Sequence, residues 1–190
     1  MNRYKAAPGA DVIGSQILVT VDAFGAFKDT GHRYLEECGL LVIKLDQWYS
    51  QQAYCDFLET IKTKIGKATL VVVGNNVAAA AQVHFNLDSV EKWMESAAQV
   101  YQRNHRKVPK NEGWAYKVTG PSAAILTCNE PYPDSFIRGL ADGFVRRFQK
   151  DRNRIISVSF DETQSRRDNG GEHGYPFGGL VTNYLEGNSS

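Results

Sequence analysis

The apolar residues of this chain keep one rhythm as far as Arg103 and another after it. Upstream they recur every three to four residues, the spacing of a helix with one buried face. Ile13, Ile17, Val21 and Phe24 predict a first helix over Val12–Phe24, with Gly25 near its end. Gly31–Cys38 reads as a short helix stopped by Gly39, and Leu40–Leu45 as a brief extended piece. Asp46–Ile65 reads as a longer helix rich in aromatics, closed by Gly66. Ala68–Val83 starts β-branched, but its alanines after Gly74 favour a buried helix. Asp88-Ser-Val-Glu91 has the form of a capping box, in which side chains at both ends of the motif satisfy free backbone N–H groups. The helix it opens carries Val90, Trp93, Met94, Ala97, Val100 and Tyr101.

Downstream the period shortens to two except in one further helical segment. Residues 104–113 form a polar loop, then Trp114–Thr119 and Ser122–Cys128 alternate around Gly120-Pro121, as in a hairpin. Asn129–Phe148 is a Pro-Tyr-Pro elbow feeding a helix. Pro131 and Pro133 hold their neighbours extended, and Asp134 or Ser135 can cap the helix start. Phe136, Leu140, Phe144 and Phe148 make one apolar face. Gly139 and Gly143 each weaken the helix by about 1 kcal/mol relative to alanine. Their spacing calls for a close neighbour, either backbone or ligand. Arg154–Phe160 and Tyr175–Thr182 read as two further strands around a charged loop. The class is α+β: a helical N-terminal half packed on a four-stranded, mostly antiparallel sheet, ordered β-β-α-β-β. Residues 1–11 read as a flexible lead-in, 12–185 as one sensor-like domain and 186–190 as a tail.

Composition narrows the function classes. The 190 residues carry a formal net charge of +1. That near-neutrality argues against phosphate-backbone binding and hence against a nucleic-acid partner. The basic cluster from Arg146 to Arg154 is diluted by Asp142 and Asp151. Cys38, Cys55 and Cys128 form no paired pattern, which suits a reducing cytoplasm. No signal-peptide core precedes Asp11, and the longest apolar run is broken by Gly74, Asn75 and Asn76, short of a membrane span.

Five stretches, in their order and spacing, carry a resemblance: D-Q-W-Y-S-Q-Q-A-Y-C-D-F-L (46–58), K-I-G-K (64–67), Y-Q-R-N-H-R (101–106), N-E-P-Y-P-D-S-F-I-R-G (129–139) and G-G-E-H-G-Y (170–175). Over roughly residues 12–182 the chain resembles the superfamily uniting heme-nitric-oxide/oxygen-binding domains and the vinyl-4-reductase domain, and is most similar to an uncharacterised myxobacterial-type branch. The resemblance implies helices over a four-stranded antiparallel sheet, with a pocket between them. It implies a domain that senses a small molecule and signals through a partner, without catalysis.

Each chemistry the resemblance suggests can be set against the residues. The heme-binding branch uses a proximal histidine and a Y-x-S-x-R triad. No such triad occurs here, and L-D-S-V-E (87–91) puts Glu91 at the histidine position. His84 and His105 read as capping or surface histidines, so the expectation is against heme of the gas-sensing type. Some vinyl-4-reductase-type sensors hold zinc through a cysteine at the helix start and an E-x2-C-x7-C pattern. The matching positions here are Asp134, Glu162, Ser165 and His173. Asp134, Glu162 and His173 are therefore the candidate zinc ligands, against the plainer reading of a lost site in which Asp134 caps its helix. No G-x-S-x-G, phosphate loop or nicotinamide fingerprint supports an enzyme.

Trp48, Tyr54, Phe57, Trp93, Tyr101, Trp114 and Tyr116 are the candidate pocket residues for a small apolar or aromatic ligand. An ordinary core is the competing reading, and Ala78–Ala81 opposite bulky rings could leave a cavity. The leading expectation is a cytoplasmic, non-catalytic sensor domain acting as a homodimer or through a separate partner. The alternatives are a dimerisation module, like the transport-particle subunits that share the wider fold, and a tetrapyrrole carrier or enzyme.

Overall fold

The computed structural model describes residues 5–81, 89–120, 123–149, 154–160 and 180–186. Its first strand, β1 (Asp11–Ile13), runs straight into α1 (Gly14–Asp22). The join depends on Gly14: a Cβ there would collide with the backbone of Lys44, whose loop folds over this turn. After α2 (Lys28–Glu37), strand β2 (Trp48–Ser50) leads into α3 (Gln51–Lys64). Ser50 caps α3 by accepting from the Ala53 N–H at 3.3 Å. Gly66, at φ +123°, turns the chain into α4 (Lys67–Ala80).

Helix α5 (Val90–Asn104) is capped by Ser89, which accepts from the Lys92 N–H at 3.3 Å. The N-cap is therefore Ser89 and not Asp88, which lies outside the described residues, and with Lys92 at the third helical position the cap is a single bond and not the expected reciprocal box. Strand β3 (His105–Arg106) follows at once. Strands β4 (Gly113–Gly120) and β5 (Ala123–Asn129) form the expected hairpin, paired from Gly113 against Asn129 to Gly120 against Ala123. The elbow then delivers α6 (Asp134–Phe148). Neither Asp134 nor Ser135 is its N-cap. Pro133 takes that place, its carbonyl accepting from Phe136 and Ile137 at 2.9 and 3.1 Å. Strands β6 (Arg154–Phe160) and β7 (Leu180–Glu186) complete an antiparallel sheet in the order β4-β5-β7-β6.

Three short strands escape the sequence pattern. β1 pairs antiparallel with both β2 and β3, in a small second sheet ordered β2-β1-β3. The helices expected over Val12–Phe24 and Asp46–Ile65 therefore begin later, and the polar loop expected after Arg103 begins as a strand. Two- and three-residue strands are too short to show a period, and partners distant in sequence create them.

Helices α4 and α6 cross in backbone contact. A Cβ at Gly74 would stand 2.5 Å from the Phe136 carbonyl oxygen, and one at Gly143 2.7 Å from that of Asn75. One at Gly139 would collide with the backbone of Val71. The close neighbour that the two α6 glycines called for is the α4 backbone. The stripe Phe136, Leu140, Phe144 and Phe148 is buried as its spacing predicts.

Candidate functional site: a two-ended cavity between the helices and the sheet

A cavity of about 610 Å³ opens where α1, α4, α5, β4, the elbow and α6 meet. That volume lies in the range of pockets that enclose a whole small molecule. Its two ends differ. Trp93 of α5 stacks on Phe144 of α6, with centroids 4.9 Å apart, and meets Trp114 of β4 edge to face at 5.5 Å. Eight residues further along α5, Tyr101 opens a polar end completed by His105, Glu130 and Tyr132. Eight residues of helix span about 12 Å. The same interval separates Phe144 from Phe136, which packs beside Tyr132. So α5 and α6 run antiparallel along the cavity, an aromatic cluster at one end and polar groups at the other.

The polar end is a buried hydrogen-bond network. His105 is 5% exposed and its ring lies flat on that of Tyr101, centroids 3.9 Å apart. Its Nδ1 lies 2.8 Å from the Tyr101 carbonyl, which can only accept, so Nδ1 carries the proton. Nε2 is then a lone-pair acceptor and takes the Tyr132 hydroxyl proton at 2.5 Å. Gln51, the first residue of α3, donates from Nε2 to the hydroxyls of Tyr101 at 2.9 Å and Tyr132 at 3.5 Å, and to Glu112 at 3.1 Å. The Tyr101 hydroxyl donates to Glu112 at 2.5 Å. One glutamine thus joins β4's approach, α5, the elbow and α3.

Burial sets the protonation states. Desolvation pulls His105 down to about 4, against the opposing pull of its bond to Tyr101, so the ring is neutral at pH 7. Desolvation raises Tyr101 and Tyr132 far above the usual phenol range, with the charge of Glu130 adding to both. Glu130 itself is 3% exposed on the cavity wall.

The candidate residues from the sequence divide. Trp93, Tyr101 and Trp114 line the cavity. Tyr54 and Phe57 are fully buried beside it in the core, Tyr54 bonded to the Thr20 hydroxyl at 2.6 Å. Trp48 lies under the Arg106 guanidinium at 4.8 Å, and Tyr116 is half-buried on β4, both away from the cavity walls. Glu91 is the second residue of α5 and is not among the walls either. The sequence reading missed Glu130, Tyr132 and Gln51, and took His105 for a capping or surface histidine, whereas it stands at the α5 C-cap but is buried. The one available signal was Y-x3-H at the end of α5, which sets His105 just past the helix, one turn beyond Tyr101.

Asp134 is the first residue of α6, while Glu162 and His173 lie outside the described residues. Among the described residues no three His, Cys, Asp or Glu side chains stand together as a metal site.

No protein-family model matches the chain, and no curated protein does. Solved structures do. An oxygen-binding H-NOX domain related to soluble guanylate cyclases, in its oxygen complex, superposes with a TM-score of 0.58 at 15% identity, covering 90% of this chain and 92% of that one. A mutant H-NOX from T. tengcongensis gives 0.62 at 16% identity, covering 92% and 96%. The Fe(II) unliganded H-NOX of K. algicida gives 0.55 at 10%, covering 94% and 99%.

The chain has the H-NOX fold. This corrects the expectation against gas-sensing heme. That expectation rested on a missing triad, on Glu91 and on a solvated His105. Yet the fold is that of oxygen-complexed and Fe(II) domains, and His105 is buried on the cavity wall. The zinc expectation on Asp134, Glu162 and His173 stays untested, because Glu162 and His173 lie outside the described residues.

Proposed function

We propose that this is a sensory domain that binds a small molecule in the cavity between its helices and its sheet. The observation that carries the reading is the cavity itself, lying between helical half and sheet in an H-NOX fold with a neutral imidazole in its wall. In this reading the chain stands nearest the vinyl-4-reductase and myxobacterial-type branch, works in the cytoplasm, and signals through a second copy or a separate partner. Among the described residues no helix is long and apolar enough to cross a membrane.

The walls fit a heme. Trp93, Trp114 and Phe144 offer flat apolar faces, and the exposed Arg103 stands at the rim for a carboxylate edge. His105 is the imidazole in the wall. Its Nδ1–H is tied to a backbone carbonyl, the arrangement that orients metal-binding histidines and leaves Nε2 as donor atom. The Tyr132 hydroxyl now holds that atom and must turn aside for His105 to ligate. Heme, when bound, supplies an iron that takes up a diatomic gas.

Titration of the purified protein with hemin under reducing conditions tests this. The expected result is a sharp Soret band with saturable stoichiometry, shifted in His105→Ala. A broad band of free hemin, identical in both proteins, removes heme as the ligand and His105 as its donor.

A further inference from the structure

We infer that the loop between α2 and β2 is a membrane-docking element, which dips into the headgroup region of an anionic lipid surface beside the rim of the cavity.

Leu41 and Val42 are each 72% exposed and Leu45 64%, three large apolar side chains within five residues. The other exposed ones among the described residues, Phe27, Ile65, Val72 and Val118, are scattered singly, as on ordinary protein surfaces. The loop is braced from beneath. Leu40 is buried and Ile43 packs against the core. The Tyr49 hydroxyl accepts from the Lys44 N–H at 2.8 Å and donates to the Val42 carbonyl at 3.0 Å. The carbonyls of Leu45 and Gln47 accept from the Ser15 and Gly14 N–H groups at 3.0 and 2.8 Å. Backbone groups beside the exposed side chains are thus already paired, so those side chains can leave water without dragging unpaired polar groups after them.

The surroundings select lipid as the occupant. Lys44 stands within the apolar set, and the Arg106 guanidinium lies 4.8 Å above the ring of Trp48, at the start of β2. Arg106 and Lys107 share the single carboxylate of Asp11, at 2.7 and 3.0 Å, which leaves this side of the molecule cationic. Apolar tips with an aromatic and cationic collar suit the boundary between acyl chains and anionic headgroups. Leu45 also borders the cavity, so a lipid-soluble ligand could pass between membrane and cavity with little exposure to water.

Co-sedimentation with vesicles of phosphatidylcholine carrying about one quarter phosphatidylserine tests this. The wild-type chain is expected to sediment with them, and less so at raised salt. The double variant Leu41→Ser, Val42→Ser is expected to bind at least about tenfold more weakly, the loss from two large apolar side chains that no longer leave water. Both positions face water, so the variant should keep the wild-type denaturation midpoint. Wild-type chain that stays in the supernatant overturns the inference, and so does equal sedimentation of the folded variant. A concentration-dependent dimer that the variant loses, with no vesicle binding by either, also overturns it and assigns the loop to a second copy. Hemin uptake without vesicles, read on the same two proteins, reports on the cavity alone, so the docking loop and the ligand site fail separately.

Discussion

Protonating His105 breaks the buried network at its centre. A proton on Nε2 removes the acceptor that Tyr132 uses and places a charge where water cannot reach it. The linkage has a definite sign. The folded value of about 4 lies below the unfolded value of 6.5, so between them the unfolded chain binds more protons. Stability from this residue is complete above pH 6.5 and is lost as pH falls towards 4. The loss is on the order of 3 kcal/mol. Urea denaturation at pH 7 and pH 4.5 should show that slope, and His105→Gln should flatten it. An unchanged slope in the variant would assign the acid sensitivity to carboxylates elsewhere. The sequence hid this residue because N-H-R-K-V-P-K is a polar stretch. Only Tyr101, one helical turn upstream, hints that the histidine turns inward.

At the scale of elements, the α4–α6 crossing is the most constrained contact. Helix propensity alone predicts that alanine at Gly139 stabilises α6 by about 1 kcal/mol. The crossing predicts the opposite sign, because the methyl group meets the Val71 backbone, which cannot step aside. Gly139→Ala should destabilise by about 1–3 kcal/mol, the usual penalty of overpacking, and Gly143→Ala likewise, read as a lower denaturation midpoint at unchanged slope. A stabilised Gly139→Ala would mean the helices stand further apart than described. These glycines were legible in sequence because a helix tolerates two only for a reason. The small β2-β1-β3 sheet was not, since three residues of β1 carry no period and their partners come from both β2 and β3. The Pro-Tyr-Pro elbow was read rightly as a rigid helix start. Its deeper role is to aim Tyr132 at His105, which depends on where α5 ends.

For the whole molecule, the period change at Arg103 marks the joint between helices and sheet, and the cavity lies along that joint. An aromatic inventory cannot say which rings line a cavity and which fill a core: Trp93, Trp114 and Phe144 share a wall, while Tyr54 and Phe57 are packed solid. That division is set by how α5 and α6 lie antiparallel, which no local pattern encodes. Native mass spectrometry of protein purified from heme-sufficient cells, with an absorption spectrum of the same sample, tests the ligand-binding claim most directly. The wild-type chain should carry a non-covalent mass excess that is released on denaturation. Ala97→Trp, which places an indole in the cavity from α5, should lose it while keeping its fold. A wild-type chain at its bare sequence mass that also takes up no added hemin would contradict the claim.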